Sequence, residues 1–319
     1  MSGRIVTGAL VATALGIGVV VGLAAPRSQQ TADANATPNA HEAQLVADLA
    51  TRDEWVAAVA EAAATDRIDG MRVVLLITED TRKETVDQVT TALTKGGATV
   101  EATGRLGTDW WDPTRSSFRG ELATQMSASI VGIEGLGATD VLEHAIVQAI
   151  VPGALPRGAT APAGGADGAS ADQAAEGATR QEVLLEVLSR AKILTLDHPA
   201  AAGVDALVIV TGEGPTGAGA ALNAAATVWE QYLGATEIVV AGDAGAPGAT
   251  TSGTIPAAAR DAIAAAAAAD TPRSTRPSVV VLSEPKLAAA EIIMALKEQA
   301  TGGSGTYGTA IGLDIVAIP

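Results

Sequence analysis

Cysteine is absent from this 319-residue chain, which excludes disulfide staples, thiolate metal sites and a cysteine nucleophile. It does not name a compartment, because oxidising and reducing spaces both tolerate a Cys-free protein. Histidine is nearly as scarce: three residues, His41, His144 and His198, lie in different stretches with no i, i+4 pair to define a metal site. Four methionines, the initiator included, make no copper-type array. Lys and Arg number 20 against 36 Asp and Glu, for a net charge of -16, and no basic cluster exists to grip a phosphate backbone. A nucleic-acid partner is therefore not expected. G-x-S-x-G and Walker A sequences are also missing, and the chain reads as non-catalytic. Aromatics make up 2%, and the one aromatic feature is Trp110-Trp111. Such a pair is either an interface or ligand platform or, more commonly, a strand-end cover over a core.

What the chain does have is apolar residues, 48% of the total, enough for one sizeable core. After Met1-Ser-Gly-Arg4 an uncharged run extends from Ile5 to Ala25, 21 residues. At about 1.5 Å per residue such a helix spans roughly the 30 Å of a bilayer's hydrocarbon, and it is longer than the roughly 7 to 15 apolar residues of a signal peptide. A single transmembrane anchor over residues 1–27 is the favoured reading. Gly22 and Ala24 keep a cleaved signal open, and in either case the body is exported. Gly18 and Gly22 form one G-x-x-x-G on the run. Residues 28–66 are then a polar linker and a helical stem, in which Leu45, Leu49, Val56 and Val59 fall on one stripe. The stripe fits either a short coiled coil or packing on the chain's own domain.

From about residue 67 to 319, β-branched runs alternate with helical patterns, the sign of an α/β domain with a doubly wound, mostly parallel, Rossmann-like sheet. Strands are predicted at Met71 to Ile77, Ala98 to Thr103, Lys192 to Leu196, Ala206 to Thr211, Glu237 to Ala241 and Ser278 to Leu282, with a seventh at Leu313 to Ile318. Several are continuous apolar runs, as in strands covered on both faces. Thr81 with Glu84 and Thr179 with Glu182 read as helix starts; Gly96-Gly97 and Gly234 read as helix ends. Residues 156–178 read as a disordered insertion.

The sharpest motif is Gly212-Glu-Gly214-Pro-Thr-Gly217, after a strand and before a helix, with Asp243 at the end of the next strand. That is the context of a dinucleotide site. Glu213 repels phosphate and Pro215 removes an amide donor, so a tight strand-to-helix turn is the favoured alternative. His144 and His198 are each at most a lone metal ligand, and more often such residues serve packing or the surface.

The order of features produces a further likeness. An N-terminal apolar span, a helical stem, Met71-Arg-Val-Val-Leu-Leu-Ile, Ala206-Leu-Val-Ile-Val-Thr-Gly and Gly305-Thr-Tyr-Gly-Thr together resemble the actinobacterial MctB family, mycobacterial copper transport protein B. The likeness extends over nearly the whole chain. It implies a cell-envelope component of copper transport or copper homeostasis, with copper as the species bound or moved and the membrane, further copies of the chain or another envelope protein as partners. A membrane-anchored, non-catalytic scaffold is the alternative function.

Overall fold

The computed structural model describes residues 38–308 apart from 134–135, 152, 157–170, 201–202, 213–217, 234, 242–256, 269–275 and 283–286. The chain divides into two units between Ala58 and Val59. Helix α1 (Pro38–Ala64) crosses that division. Among the described residues no helix is long and apolar enough to cross a membrane, and the run from Ile5 to Ala25 lies outside them.

The larger unit is a mixed α/β structure. Its elements run β1 (Arg72–Thr78), α2 (Lys83–Lys95), β2 (Thr99–Leu106), α3 (Ser116–Met126), α4 (Ala138–Ile150), α5 (Ala171–Arg190), β3 (Leu194–Leu196), β4 (Ala206–Thr211), α6 (Ala218–Trp229), β5 (Ala235–Ala241), α7 (Ala257–Ala268), β6 (Ser278–Leu282), α8 (Ala288–Ala300) and β7 (Thr306–Gly308). The sheet order is β3-β2-β1-β4-β5-β6-β7, and every pairing is parallel except β2 with the edge strand β3.

Side chains on a strand alternate between faces, and here both faces are apolar. Val74 and Leu76 of β1, Leu207 and Ile209 of β4, and Val279 and Val281 of β6 enter one core with residues of α3 to α7. Val73, Leu75 and Ile77, then Ala206, Val208 and Val210, then Val280 and Leu282 enter a second core against α2, α8 and the end of α1. Each such Val, Leu or Ile contributes about 1.5–3 kcal/mol of burial. The two-sided demand explains why these strands read as unbroken apolar runs.

Local chemistry departs from the sequence reading at four places. Thr81 does not cap α2: Arg82 holds the N-cap position without a side-chain bond, because the Thr81 hydroxyl donates to the Val210 carbonyl at 3.0 Å. Thr179 and Glu182 lie inside α5, which starts at Ala171. The tract 156–178 therefore ends in helix, as its Ala and Glu residues favour. Thr306–Gly308 is a strand that the sequence does not signal, paired with Val279 to Val281; the strand predicted at Leu313 to Ile318 lies outside the described residues. Gly96 and Gly97 do end α2: Gly97 adopts φ +90, and a turn zips residues 66–70 onto 95–97 through Asp66, Ile68 and Gly70 amides.

Among the described glycines, Gly107 at the β2 exit has the closest contact. A Cβ on Gly107 would stand 1.9 Å from the Lys192 carbonyl oxygen, whereas one on the helical Gly120 would meet nothing within 4 Å. Gly107→Ala is expected to destabilise by about 3 kcal/mol, since backbone must move. Gly120→Ala, which only restricts the unfolded chain and favours helix, is expected to be neutral or to stabilise by about 0.5–1 kcal/mol. Chemical denaturation of both variants checks the pair; equal midpoints would contradict the packing at Gly107.

Candidate functional site

In open α/β sheets, ligands sit at the carboxyl ends of the strands where strand order reverses. Here that position lies between β1 and β4, which leave in opposite directions from the centre of the sheet. The predicted G-x-G-x-x-G begins there. Gly212 is described and buried, while Gly214, Gly217 and Asp243 lie outside the described residues.

The β1 end fills this position with its own chain. Thr78 is buried, its hydroxyl donates to an Asp80 carboxylate oxygen, and it lies 3.0 Å from the Thr81 hydroxyl. A Cβ at Gly212 would come within 2.6 Å of the Asp80 carbonyl and 2.9 Å of its carboxylate. The first glycine of the motif is thus required by contact with Asp80. The Asp80 carboxylate thus lies beside the first glycine of the motif, and a negative charge there repels phosphate.

The second candidate is α4, where every residue from Val141 to Ile150 is buried. It packs against α3, α5 and α6, and it carries Glu143, His144 and Gln148 into that interior. Buried polar groups require partners. Gln148 finds them by clamping Val131: its amide donates to the Val131 carbonyl at 2.7 Å, and its oxygen accepts the Val131 amide at 3.1 Å. It also donates to the Tyr232 hydroxyl at 3.3 Å. That hydroxyl is bonded to His144 Nδ1. Burial pushes the Tyr232 phenol up to about 12, against the Gln148 hydrogen bond that lowers it. The phenol therefore stays protonated and donates to Nδ1. Burial also lowers the His144 pKa. The neutral ring consequently spends its Nδ1 lone pair on Tyr232 and carries its proton on Nε2, which suits a packing residue better than a metal ligand.

Glu143 faces an aromatic wall. Trp110 stacks on Trp229 with centroids 5.7 Å apart and planes 20° apart, and Trp111 meets Trp110 edge-on at 81°. The Trp229 indole donates to the Glu143 carbonyl at 2.9 Å. Trp110 is 3% exposed, so the tryptophan pair covers core rather than presenting a platform. Glu143 Oε2 is buried with no partner. Burial lifts this carboxyl well above its usual range; the Trp110 hydrogen bond and the Arg119 charge oppose the shift, and Asp140 adds to it.

His198 stands elsewhere, on the surface after β3. Its Nε2 lies 3.7 Å from the Asp197 carboxylate, which also accepts the Thr103 and His198 amides at 2.9 and 2.8 Å. The structure does not bring His144 and His198 into one cluster. Among the described residues no group of three or more His, Asp or Glu is placed to hold a metal ion. The sequence reading missed Gln148, Tyr232, Thr78 and Asp80. The available signals were a Gln four residues after a His inside an apolar helix, and a Thr-Glu-Asp-Thr run directly after a buried strand.

With this architecture in view, comparison with known proteins places the chain. It matches the family described as copper transport outer membrane protein, MctB, over residues 4–318, and it belongs to that family. No curated protein matches the sequence.

The Glu143 environment makes a prediction. The unfolded carboxyl ionises near its ordinary value of 4.5, whereas the folded one holds its proton to higher pH. The stability this group permits is complete below pH 4.5 and is lost as pH rises towards the folded pKa. Glu143→Gln, which has no proton to lose, is expected to be more stable than the parent at pH 7 and to lose that advantage as pH falls towards 4. Urea titrations at both pH values check this. A variant less stable at pH 7 would contradict the neutral buried carboxyl.

Proposed function

We propose that this chain is a non-catalytic envelope component of copper homeostasis, held at a membrane by residues 1–27 with its doubly wound, Rossmann-like domain on the extracytoplasmic side. Family membership over residues 4–318 carries the copper assignment. The 21 uncharged residues from Ile5 to Ala25 support the anchor. Copper is cargo in this reading, because the composition offers few soft ligands: no Cys, three His and four Met.

The described sheet bears on how transport would work. Strands of a lipid-facing barrel are about ten residues long and alternate apolar outward with polar inward. β1, β4 and β6 have 7, 6 and 5 residues and bury apolar side chains on both faces under helices. The described domain thus supports a role beside a copper pathway, in which a conducting path requires association with further copies or with another envelope protein. A scaffold role is the second reading, and the exposed Leu45, Val46, Leu49 and Trp55 on α1 favour it.

Metal analysis of cells grown in copper separates the two. Deleting the gene is expected to raise cell copper severalfold. The full chain is expected to restore the normal level, and a chain lacking residues 1–27 is not. Cell copper unchanged by the deletion would remove the copper reading and leave the scaffold.

A further inference from the structure

We propose that α1 pairs in parallel with α1 of a second copy of this chain, through a seam centred on Leu45 and Leu49. From Glu42 to Thr51 every residue of the helix is exposed. Leu45, Val46, Leu49 and Trp55 are 49%, 61%, 53% and 58% exposed, which gathers large apolar side chains on one short segment. A helix gains most of its stability from packing an apolar face, and an isolated one is marginal in water. The abundance of alanine leaves α1 weakly amphipathic by polarity; the stripe is one of size, which is what knobs require.

The spacing sets the register. Leu45 and Leu49 fall at d and a of a heptad, and in sequence the same spacing continues through positions 52, 56 and 59. Ala60, Ala63 and Ala64 are buried at the helix end by the chain itself, so the pairing is confined to the helix before them.

The chain before the helix favours a second copy over a foreign partner. Pairing over positions 42–59 extends only about 27 Å at 1.5 Å per residue. It therefore buries less than the roughly 1,200 Å² of a standard stable interface, and free stems would separate. Twelve residues separate the uncharged run ending at Ala25 from Pro38, a segment that reaches at most about 40 Å. Anchors lying in one membrane hold the stems in one direction and at high effective concentration. This part of the argument rests on the anchor reading under Proposed function.

The absence of cysteine gives a clean test. Single variants Leu45→Cys, Leu49→Cys, Ala47→Cys and Ala50→Cys of the full chain are reconstituted in phosphatidylcholine–phosphatidylglycerol vesicles, oxidised with diamide and run without reductant. Disulfide-linked dimers are expected to be at least tenfold more abundant for the two seam positions than for the two outward ones. Equal cross-linking at all four positions, a preference for Ala47 and Ala50, or no dimer at any would overturn the pairing. Vesicle flotation reports the anchor separately, and the cross-linking pattern decides the seam whether or not the chain floats. Far-ultraviolet circular dichroism of each variant identifies any loss of fold.

Discussion

The structure depends on burying a parallel sheet on both faces. β1 and β4, neighbours at its centre, pair from Val73 with Ala206 to Ile77 with Val210. Their side chains go alternately to two separate cores. Backbone bonds at the strand ends tie the two strands in register: Asp205 donates its amide to the Arg72 carbonyl at 2.9 Å, and its carboxylate takes the Arg72 amide at 2.9 Å and the guanidinium at 3.2 Å. At the opposite end, Thr81 reaches the Val210 carbonyl. Among the polar groups that enter the cores, Gln148 and Tyr232 find hydrogen-bond partners, and burial pushes the Glu143 carboxyl well above its usual range.

How much of this could be read from the sequence follows from the same constraint. Ala206 to Thr211 and Ser278 to Leu282 are predicted to the residue, because a strand buried on both faces has no polar position to blur its ends. Thr306–Gly308 is not legible: three residues containing a glycine carry no periodicity. The Thr81 start fails for a tertiary reason, since a hydroxyl that suits a cap also suits a distant carbonyl; the Thr179 start fails because α5 already runs from Ala171. Long-range pairs are hidden in the same way. Nothing in the spacing of His144 and Tyr232, 88 residues apart, announces that they meet. Gly212 shows the converse, a recognisable motif position whose requirement for glycine comes from the chain's own Asp80.

Family membership and side-chain chemistry set different limits on function. The family ties the chain to copper transport. The described residues offer buried, bonded or isolated groups in place of a ligand set: His144 is committed to Tyr232, His198 stands beside Asp197, and Asp80 is turned onto the Gly212 turn. Both limits are met if the protein organises a copper pathway at the membrane and does not store the metal.

Copper titration of the purified full chain tests that account most directly, using a chromophoric chelator to compete for Cu(I) and Cu(II) in turn. The chelator is expected to keep the metal, with well under one copper retained per chain at micromolar protein. One or more copper ions held against the chelator per chain, and lost on His144→Ala or His198→Ala substitution, would contradict it.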